Sequence, residues 1–346
     1  MSIKGVRRIE NRNIQYDIVK GVGIILVVLG HAIVKEYSLP NSVLFSLRTT
    51  IYLVHMPLFF GIAGFLYQKY DKRRKNDKWG YVLDKVCLYF VPYLFFSFVI
   101  YFISFIGGQI EATKSLFEKV GLIFPGLGIA VKQILTYQGH LDSHLWFAPV
   151  MLIIVLLATA ADRYFTLTAQ TIVSFLVYFV AGIYVSQAGI SEVIWKVGIY
   201  YIFFCVGRGI VSINRENRKA LSLFGLVICV TIRLCCFESS LSIGAYLIEL
   251  FIGVLSLVCL LDLSQGISDN VLGKGLAYIG RNSYIIYLIH QPYIVIGVEK
   301  VLQIIDAPVL CCIILATILG VGLPLFVNEK IISQNRILKF FVLGVR

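Results

Sequence analysis

The sequence predicts an all-α membrane protein, a polytopic helical bundle of about ten transmembrane helices. Of the 346 residues, 58% are hydrophobic and 14% are charged, and the mean hydropathy is +0.85. A soluble domain of this length would carry about 25% charged residues. The apolar residues also fall into separate runs, and a helix that crosses a bilayer needs about 17 to 25 of them. Composition and run length together exclude a soluble fold.

Apolar runs with few charges at their centres divide the chain. Their approximate limits are residues 18–36, 48–67, 83–107, 144–161, 168–186, 193–211, 219–236, 241–262, 275–298 and 307–328. Residues 108–143 form the longest segment between two runs, and its apolar piece GLIFPGLGIA indicates re-entry or an interfacial position. The first run is too long for a signal peptide and lacks a small-residue cleavage site. We expect one integral membrane domain over residues 1–346, without an appended soluble domain.

The distribution of Lys and Arg predicts the orientation in the membrane. Basic residues accumulate in short loops on the cytoplasmic side. With the amino terminus inside, most of the 31 basic residues fall on that side, and the tract KYDKRRKNDK at residues 69–78 is the densest. We therefore expect an even number of spans and both termini in the cytoplasm. The net charge of +12 then needs no nucleic-acid partner to explain it.

The eight cysteines lie in apolar stretches, at positions 87, 205, 229, 235, 236, 259, 311 and 312. They form no CxxC pair and show no regular metal-binding spacing. We interpret them as reduced residues of the core, without a role in disulfides or metal binding.

The first apolar run, YDIVKGVGIILVVLGHA, contains Asp17, Lys20 and His31. A charged side chain in hydrocarbon costs roughly 2.5 to 3.5 kcal/mol, so such residues usually face the bundle interior and have a function. Lys20 and His31 are eleven residues apart and share one helix face, with ~16 Å of rise between them. Asp17 and Lys20 can pair at three-residue spacing, as an interfacial ion pair or as part of a site. For His31, deep in the span, the pattern favours function.

Two further segments place histidines next to special residues. His55 precedes Pro57 in HMPLFFGIAGFLY, where the proline interrupts helical hydrogen bonding, so His55 lines a cavity or is structural. In HLDSHLWF, His140 and His144 are four residues apart, but no third ligand lies nearby, and we predict no metal site. Trp146 is the aromatic residue expected at a membrane interface.

The late segment IGRNSYIIYLIHQPY at residues 279–293 carries three polar side chains on one helix face. Ser283 and His290 are seven residues apart, and Tyr287 lies one turn before the histidine. Together they can form the wall of a hydrogen-bonded pocket, although His290 alone has a structural interpretation too. Glu249 and Arg233 are isolated charges in other runs, and either pairs with the other or with a substrate.

These motifs, in this order, resemble acyltransferase family 3, integral membrane proteins that O-acylate sugars and other hydroxyl acceptors. YDIVKGVGIILVVLGH is similar to the first-span signature, HMPLFFGIAGFL to the second-span motif, HLWFAPVML to the middle Trp-Phe motif, and IGRNSYIIYLIHQP to the late motif. The resemblance covers nearly the whole chain. Lys20 stands where many members have arginine, as in the branch that resembles bacterial polysaccharide and fucose O-acetylases. Lys85 is the nearest counterpart of the arginines that enter the third span, and Ala63 replaces a common serine.

The resemblance implies a multi-pass enzyme of the bacterial cytoplasmic (inner) membrane. It would move an acetyl group from cytoplasmic acetyl-CoA to a hydroxyl of a cell-surface sugar or polysaccharide, such as an exopolysaccharide. Acetyl-CoA is then a donor co-substrate, no bound cofactor is expected, and membrane lipid and the sugar acceptor are the partners. We predict His31 as general base on the acceptor hydroxyl or as transient acyl carrier. Lys20 would hold the donor or stabilise an oxyanion, with Asp17 orienting it.

The remaining site predictions concern the two substrates. Substrate-binding residues are predicted at His55, His144, Trp146, Ser283, Tyr287 and His290, and residues that attract the donor phosphates at Arg73, Arg74, Lys78 and Lys85. The main alternative is a polytopic transporter or flippase of a glycan precursor or small metabolite, for which we find no matching pair of Gly- or Pro-broken helices in two halves. A noncatalytic membrane scaffold would not explain the ordered histidine motifs.

Overall fold

The computed structural model is helical throughout and describes residues 14–34, 37, 39, 42–70, 74, 76–137, 141–183, 192–210, 219–236 and 242–345. No strand occurs in these ranges. An all-helical chain with several long apolar helices is a polytopic helical bundle, so the predicted fold class is confirmed at that level.

The helices of these ranges follow one another along the chain. They are α1 (Ile14–Ala32), α2 (Val43–Lys69), α3 (Lys78–Gln109), α4 (Glu111–Val120), α5 (Leu127–Thr136), α6 (Phe147–Ala161), α7 (Leu167–Ile183), α8 (Glu192–Ile210), α9 (Lys219–Cys236), α10 (Ile243–Gly266), α11 (Val271–Arg281), α12 (Ser283–Ile289), α13 (Val295–Ile304), α14 (Val309–Lys330) and α15 (Arg336–Leu343). Single turns of 3-10 helix occur at Ser143–Trp146 and Ile332–Gln334, and a π-helical turn occurs at His290–Ile294.

Within the described ranges, 8 helical segments are long and apolar enough to cross a membrane. They are Ile14–Ala32, Val43–Lys69, Lys78–Gln109, Ser143–Ala161, Glu192–Ile210, Ile243–Gly266, Ser283–Ile304 and Val309–Gln334. The other two predicted spans, residues 168–186 and 219–236, coincide with α7 and α9. Their apolar parts, Leu167–Ile183 and Ser222–Cys235, are shorter than the others. The count of ten spans therefore stays a prediction.

The limits of two spans differ from those predicted. The first begins and ends four residues before residues 18–36, because the polar start of α1 packs against α11. Gly280 lies directly against the backbone carbonyl of Asp17, where a Cβ would not fit. His31 consequently lies in the last turn of α1 and not deep in the span, which corrects its predicted depth. The span predicted at residues 275–298 is divided at Asn282, and its membrane-crossing part is Ser283–Ile304.

The two ends of the bundle are defined by α1. We call the end where α1 begins the Lys20 side and the end where it finishes the His31 side. The ring of Tyr16 lies 4.5 Å from that of Phe65, and the Lys69 ammonium lies 5.1 Å from the Tyr16 ring. The last turns of α2 are therefore on the Lys20 side, and α2 runs antiparallel to α1.

Both ends of the described chain lie toward the Lys20 side. The start of α3 is there, since the rings of Tyr81 and Tyr67 are 6.2 Å apart. Gly344, which follows α15, packs against the carbonyl of Cys87 in the first third of α3. This arrangement agrees with an even number of crossings.

Small residues allow α2 and α8 to pack backbone against backbone. Gly64 faces the carbonyl of Phe204, and Gly207 faces the carbonyl of Gly61, so neither glycine has room for a Cβ. Close contact through small residues is a common means of association for membrane helices. Gly61 and Gly64 of the HMPLFFGIAGFLY segment are therefore both part of a close contact between α2 and α8.

Candidate active site

Four histidines from four separate elements meet on the His31 side. His31 lies in the last turn of α1, His55 in α2, His144 in the 3-10 turn, and His290 opens the π-helical turn. The ring centre of His290 is 5.3 Å from that of His31 and 6.0 Å from that of His144. His55 interacts electrostatically with both His31 and His290. The fifth histidine, at position 140, lies outside the described residues.

Backbone carbonyls fix the tautomers of two of these rings. Nδ1 of His290 donates to the carbonyls of Ile286 at 3.0 Å and Tyr287 at 2.9 Å. Nδ1 of His55 donates to the carbonyl of Ile51 at 2.6 Å. Because a carbonyl only accepts, Nδ1 carries the proton, and Nε2 of each neutral ring keeps a lone pair. His290 is fully buried, and its Nε2 has no hydrogen-bond partner among the described residues.

The helical backbone is interrupted next to these rings, between α12 and α13. Gln291 has φ −125° and ψ 160°, outside the helical region, and Pro292 follows it. Proline has no N–H, so the carbonyl of Leu288, four residues earlier, has no helical donor. The ring of His144 interacts with that carbonyl. Nε2 of His144 is buried and has no hydrogen-bond partner in the described part of the chain.

Two residues that we did not predict, Arg48 and Tyr52, complete this group. The Tyr52 hydroxyl is 3.4 Å from Nδ1 of His31, and its ring centre is 5.1 Å from that of His55. The Arg48 guanidinium lies 4.9 Å from the Tyr52 ring centre and interacts electrostatically with His31. Arg48, Tyr52 and His55 follow a spacing of four and three residues, so they share one face of α2. That spacing is the signal by which the sequence could have identified them.

The predicted pair of Asp17 and Lys20 is present, at the other end of α1. Lys20 Nζ is 2.7 Å from a carboxylate oxygen of Asp17, whose side chain is buried. Eleven residues of helix separate Lys20 from His31, which corresponds to ~16 Å along the axis. A lysine side chain cannot bridge that distance, so Lys20 and His31 cannot touch the same reacting atom.

The other predicted substrate-binding residues pack around the histidines. The Tyr287 hydroxyl accepts a hydrogen bond from the backbone N–H of Ala148 at 3.3 Å and so holds the start of α6. Ser283 is buried two turns before His290. Trp146 stacks on Tyr200 with ring centres 5.3 Å apart. Trp146 thus lies two residues from His144 of the histidine group, whereas Ser283 is at the start of α12, two turns from His290.

The residues predicted to attract the donor lie on the Lys20 side where they are described. Arg73 is outside the described residues. Arg74 is buried, 3.1 Å from Asp162, with its guanidinium 3.7 Å from the Tyr67 ring centre. Lys78 is exposed at the first position of α3. Lys85 lies one turn further than Tyr81 and is 5.3 Å from its ring centre.

Asp162 joins four helices on the Lys20 side, and no local sequence pattern predicts this arrangement. Its two oxygens accept hydrogen bonds from Tyr67 at 2.8 Å, Gln170 at 3.0 Å and Arg208 at 2.8 Å. Burial alone would raise the pKa of Asp162, but these donors and the charge of Arg208 lower it below the usual value. In a different part of the bundle, Arg233 and Glu249 pair with each other at 2.8 Å, one of the two alternatives predicted for them.

Comparison with known proteins gives three findings. A family model described as an acyltransferase domain matches residues 13–326, a range that includes the whole histidine group. The nodulation protein NolL of Sinorhizobium fredii (strain NBRC 101917 / NGR234) is 48% identical over 59 residues. That match covers 16% of this chain and 16% of NolL, a small part of either protein. No solved structure matches the chain.

Proposed function

The chain belongs to acyltransferase family 3, and we propose that it is an O-acetyltransferase acting on a cell-surface sugar or polysaccharide, with acetyl-CoA as donor. The observation that supports this best is the meeting of four histidines from four elements on the His31 side. A neutral imidazole with a free lone pair can remove the proton of an attacking hydroxyl. His290 and His55 have such a lone pair at Nε2, and His31 lies beside both.

In the proposed reaction the acceptor oxygen attacks the thioester carbonyl, a C–O bond forms, and the C–S bond breaks. His31 takes the hydroxyl proton and returns it to the departing thiolate of coenzyme A, so its ring ends neutral. In the alternative route, His31 attacks first and carries the acetyl group as an acyl-imidazole until the hydroxyl accepts it. Both routes give the same products, an acetyl ester and free coenzyme A.

Positive charge near His31 supports the step in which negative charge develops on the thioester oxygen. Arg48 interacts electrostatically with His31, and its charge would stabilise the tetrahedral oxyanion. Lys20, ~16 Å away along α1, is better placed to hold the anionic end of the donor. We therefore assign Arg48 to the reacting group and Lys20, oriented by Asp17, to the donor. With the Lys20 side in the cytoplasm of a bacterial inner membrane, the donor enters there and the acceptor meets the histidines at the opposite face.

The direct test measures acetyl transfer by the full chain in lipid nanodiscs. Acetyl-labelled acetyl-CoA is mixed with envelope polysaccharide whose ester groups have been removed by mild base. We expect base-labile label in the polysaccharide with wild type and at least a 100-fold lower rate with His31→Gln, within the range for loss of a general base. Tyr164→Phe, in an exposed loop on the Lys20 side, is the control with unchanged rate. A His31→Gln rate equal to wild type would remove His31 from the mechanism.

A further inference from the structure

Tyr52 connects the histidine group to the exposed surface of the bundle on the His31 side. It is 37% exposed and is the most exposed member of the group, whereas His55, His144 and His290 are buried. Its hydroxyl is 3.4 Å from Nδ1 of His31. Within the group, the Tyr52 side chain is therefore the most accessible to an acceptor that arrives from outside.

Tyr52 lies where α2 changes from polar to apolar. The first turns of α2 contain Ser46, Arg48, Thr49 and Thr50, and the rest of the span is largely apolar. Tyrosine is frequent at such borders of the hydrocarbon, because its ring is apolar and its hydroxyl is polar. An acceptor in water on the His31 side can consequently reach this hydroxyl without entering the hydrocarbon core.

Gly30 allows Tyr52 to approach His31. A Cβ at Gly30 would lie 2.9 Å from a side-chain carbon of Ile51 and 3.3 Å from the Tyr52 ring. Carbon atoms pack at about 3.5 to 4.0 Å, so a side chain at position 30 would push α2 away from the last turn of α1. The glycine that precedes His31 in the sequence thus permits the contact between Tyr52 and His31.

The charge of Arg48 favours Tyr52 as the donor in its contact with His31. The Arg48 guanidinium lies 4.9 Å from the Tyr52 ring centre and interacts electrostatically with Tyr52. A guanidinium offers donors and no acceptor, and its positive charge stabilises negative charge on a nearby phenolic oxygen. The Tyr52 O–H is therefore polarised toward release of its proton, and Nδ1 of His31 lies within reach to accept it.

We propose that Tyr52 is a catalytic residue that passes the proton of the acceptor hydroxyl to His31. The inference rests on the proposed function and deepens its general-base route. As the acceptor oxygen bonds to the thioester carbonyl carbon, its proton moves to the Tyr52 oxygen, and the Tyr52 proton moves to Nδ1 of His31. Tyr52 ends neutral, and His31 stays protonated until it gives one proton to the departing thiolate of coenzyme A.

The surroundings of Tyr52 and His31 suit the charges that form in this step. Arg48 stabilises the negative charge that builds on the Tyr52 oxygen while the two protons move. The ring centre of His290 is 5.3 Å from that of His31, and its Nε2 keeps a lone pair that can accept from protonated His31. The Tyr52 ring packs edge-on against His55 with ring centres 5.1 Å apart, which holds the hydroxyl in place.

The first test removes the hydroxyl alone, in the full chain in lipid nanodiscs with acetyl-labelled acetyl-CoA and de-esterified envelope polysaccharide. Tyr52→Phe keeps the ring and its contacts, so its unfolding temperature should stay near that of wild type. We expect a kcat about 100-fold lower, within the range for general acid–base catalysis, and an unchanged KM for acetyl-CoA. The double variant of Tyr52→Phe and His31→Gln should be no slower than His31→Gln, because both side chains act on one proton.

The second test changes only the acidity of the hydroxyl. Difluorotyrosine, placed at position 52 by amber suppression, has nearly the size of tyrosine and a more acidic hydroxyl. It donates more strongly to Nδ1, so His31 takes a proton from water only at lower pH, and the acid limb of kcat/KM should move to lower pH. The other groups that interact electrostatically with His31 are unchanged, namely His55, His144, His290 and Arg48. Difluorotyrosine at the exposed position 164 is the matched control and should leave the profile unmoved.

The outcomes separate the role of Tyr52 from the enzyme itself. Wild-type kcat in Tyr52→Phe, losses that multiply in the double variant, or an unmoved acid limb with difluorotyrosine at position 52 overturns the proton transfer through Tyr52. Each of these results leaves the acetyltransferase standing. A wild-type chain that transfers no acetyl group overturns the proposed function and this step with it.

Discussion

At the residue scale, the chemistry of the site depends on which ring nitrogen of each histidine is free. His290 and His55 donate from Nδ1 to backbone carbonyls of their own helices, so Nε2 is the free nitrogen in each. A ring fixed in this way keeps Nε2 as an acceptor, next to His31, the proposed base. For His31, the partner of Nδ1 is a tyrosine hydroxyl, which both donates and accepts, and both tautomers are compatible with that contact.

The role of Nε2 of His290 can be separated from the structural role of Nδ1. In His290→Asn, the amide N–H replaces Nδ1 and can still donate to the carbonyl four residues earlier, as Asn282 does to Tyr278 at 2.9 Å. Nothing replaces Nε2. We expect an unfolding temperature near that of wild type and an acetyl-transfer rate about 100-fold lower. Wild-type turnover by this variant would show that the lone pair is not used.

Lys20 is expected to act through its positive charge. Lys20→Arg keeps that charge and should retain much more acetyl transfer than Lys20→Ala, although arginine presents a broader, planar group. Lys20→Ala also removes the ammonium next to Asp17 and leaves the Asp17 carboxylate in the bundle. The double variant that combines Asp17→Asn with Lys20→Ala removes both charges and is the control. Activity that returns with the double variant would assign Lys20 a structural role. Equal losses for arginine and alanine would show that the geometry of lysine matters.

Some residues of the site and the bundle can be identified from the sequence, and others cannot. His31 and His290 can be identified because an ionisable side chain in a membrane span costs free energy, which indicates a function. Arg48 lies near the start of a run, where a basic residue is ordinary, so only its spacing to His55 marks it. Asp162 directly follows α6, and Arg208 lies in the last turn of α8, 46 residues later in the sequence. No local pattern joins them, because their pairing results from how the helices pack.

At the scale of elements, Asp162 is expected to stabilise the packing of α2, α6, α7 and α8. Asp162→Asn should lower stability by about 1 to 3 kcal/mol, less than the 3 to 5 of a fully buried pair because 21% of the side chain is exposed. The folded-state pKa lies below the ordinary value of 3.8, so this contribution is complete above pH 5 and is lost as the pH falls below that value.

Unfolding temperatures in detergent at pH 6 and pH 3 check this. The difference between wild type and Asp162→Asn should be smaller at pH 3 than at pH 6, because the charge contribution begins to be lost below the ordinary pKa of 3.8. Asp269→Asn, which changes an exposed acid, should have little effect at either pH. A difference that stays constant with pH would mean that the Asp162 charge does not stabilise the fold.

Helix limits were the least predictable feature at this scale. A hydropathy pattern places a span by its apolar centre, so it missed the buried polar start of α1, which Gly280 accommodates by close backbone contact. It also joined α11 and α12 into one run, because both are apolar and the break at Asn282 carries no strong signal. Pro292 did mark a real break, and that break contributes to the site by leaving the Leu288 carbonyl for His144.

At the scale of the whole molecule, composition alone was enough to identify a membrane bundle, and the positions of Lys and Arg predict its orientation. Composition does not determine the number of crossings, because α7 and α9 are shorter than the other spans. Both described ends lie toward the Lys20 side, and the proposed route of the acetyl group requires that side to be cytoplasmic.

Reporter fusions test this orientation. Green fluorescent protein fused after the carboxyl terminus of the full chain should fluoresce, because it folds in the cytoplasm, and alkaline phosphatase at the same place should be inactive. Alkaline phosphatase inserted at Gly121, between α4 and α5, should be active. The reverse pattern would place the histidine group in the cytoplasm and contradict the proposed sides of donor and acceptor.

The central claim is that His31 transfers acetyl groups to a surface glycan. Its most direct test is proton NMR of surface polysaccharide from a deletion strain complemented with wild type or His31→Ala, with equal amounts of each protein in the membrane. We predict that O-acetyl signals return with wild type and stay absent with His31→Ala. O-acetyl signals that the deletion leaves unchanged, or that His31→Ala restores fully, would contradict the account and bring a transporter of a glycan precursor or small metabolite to the front.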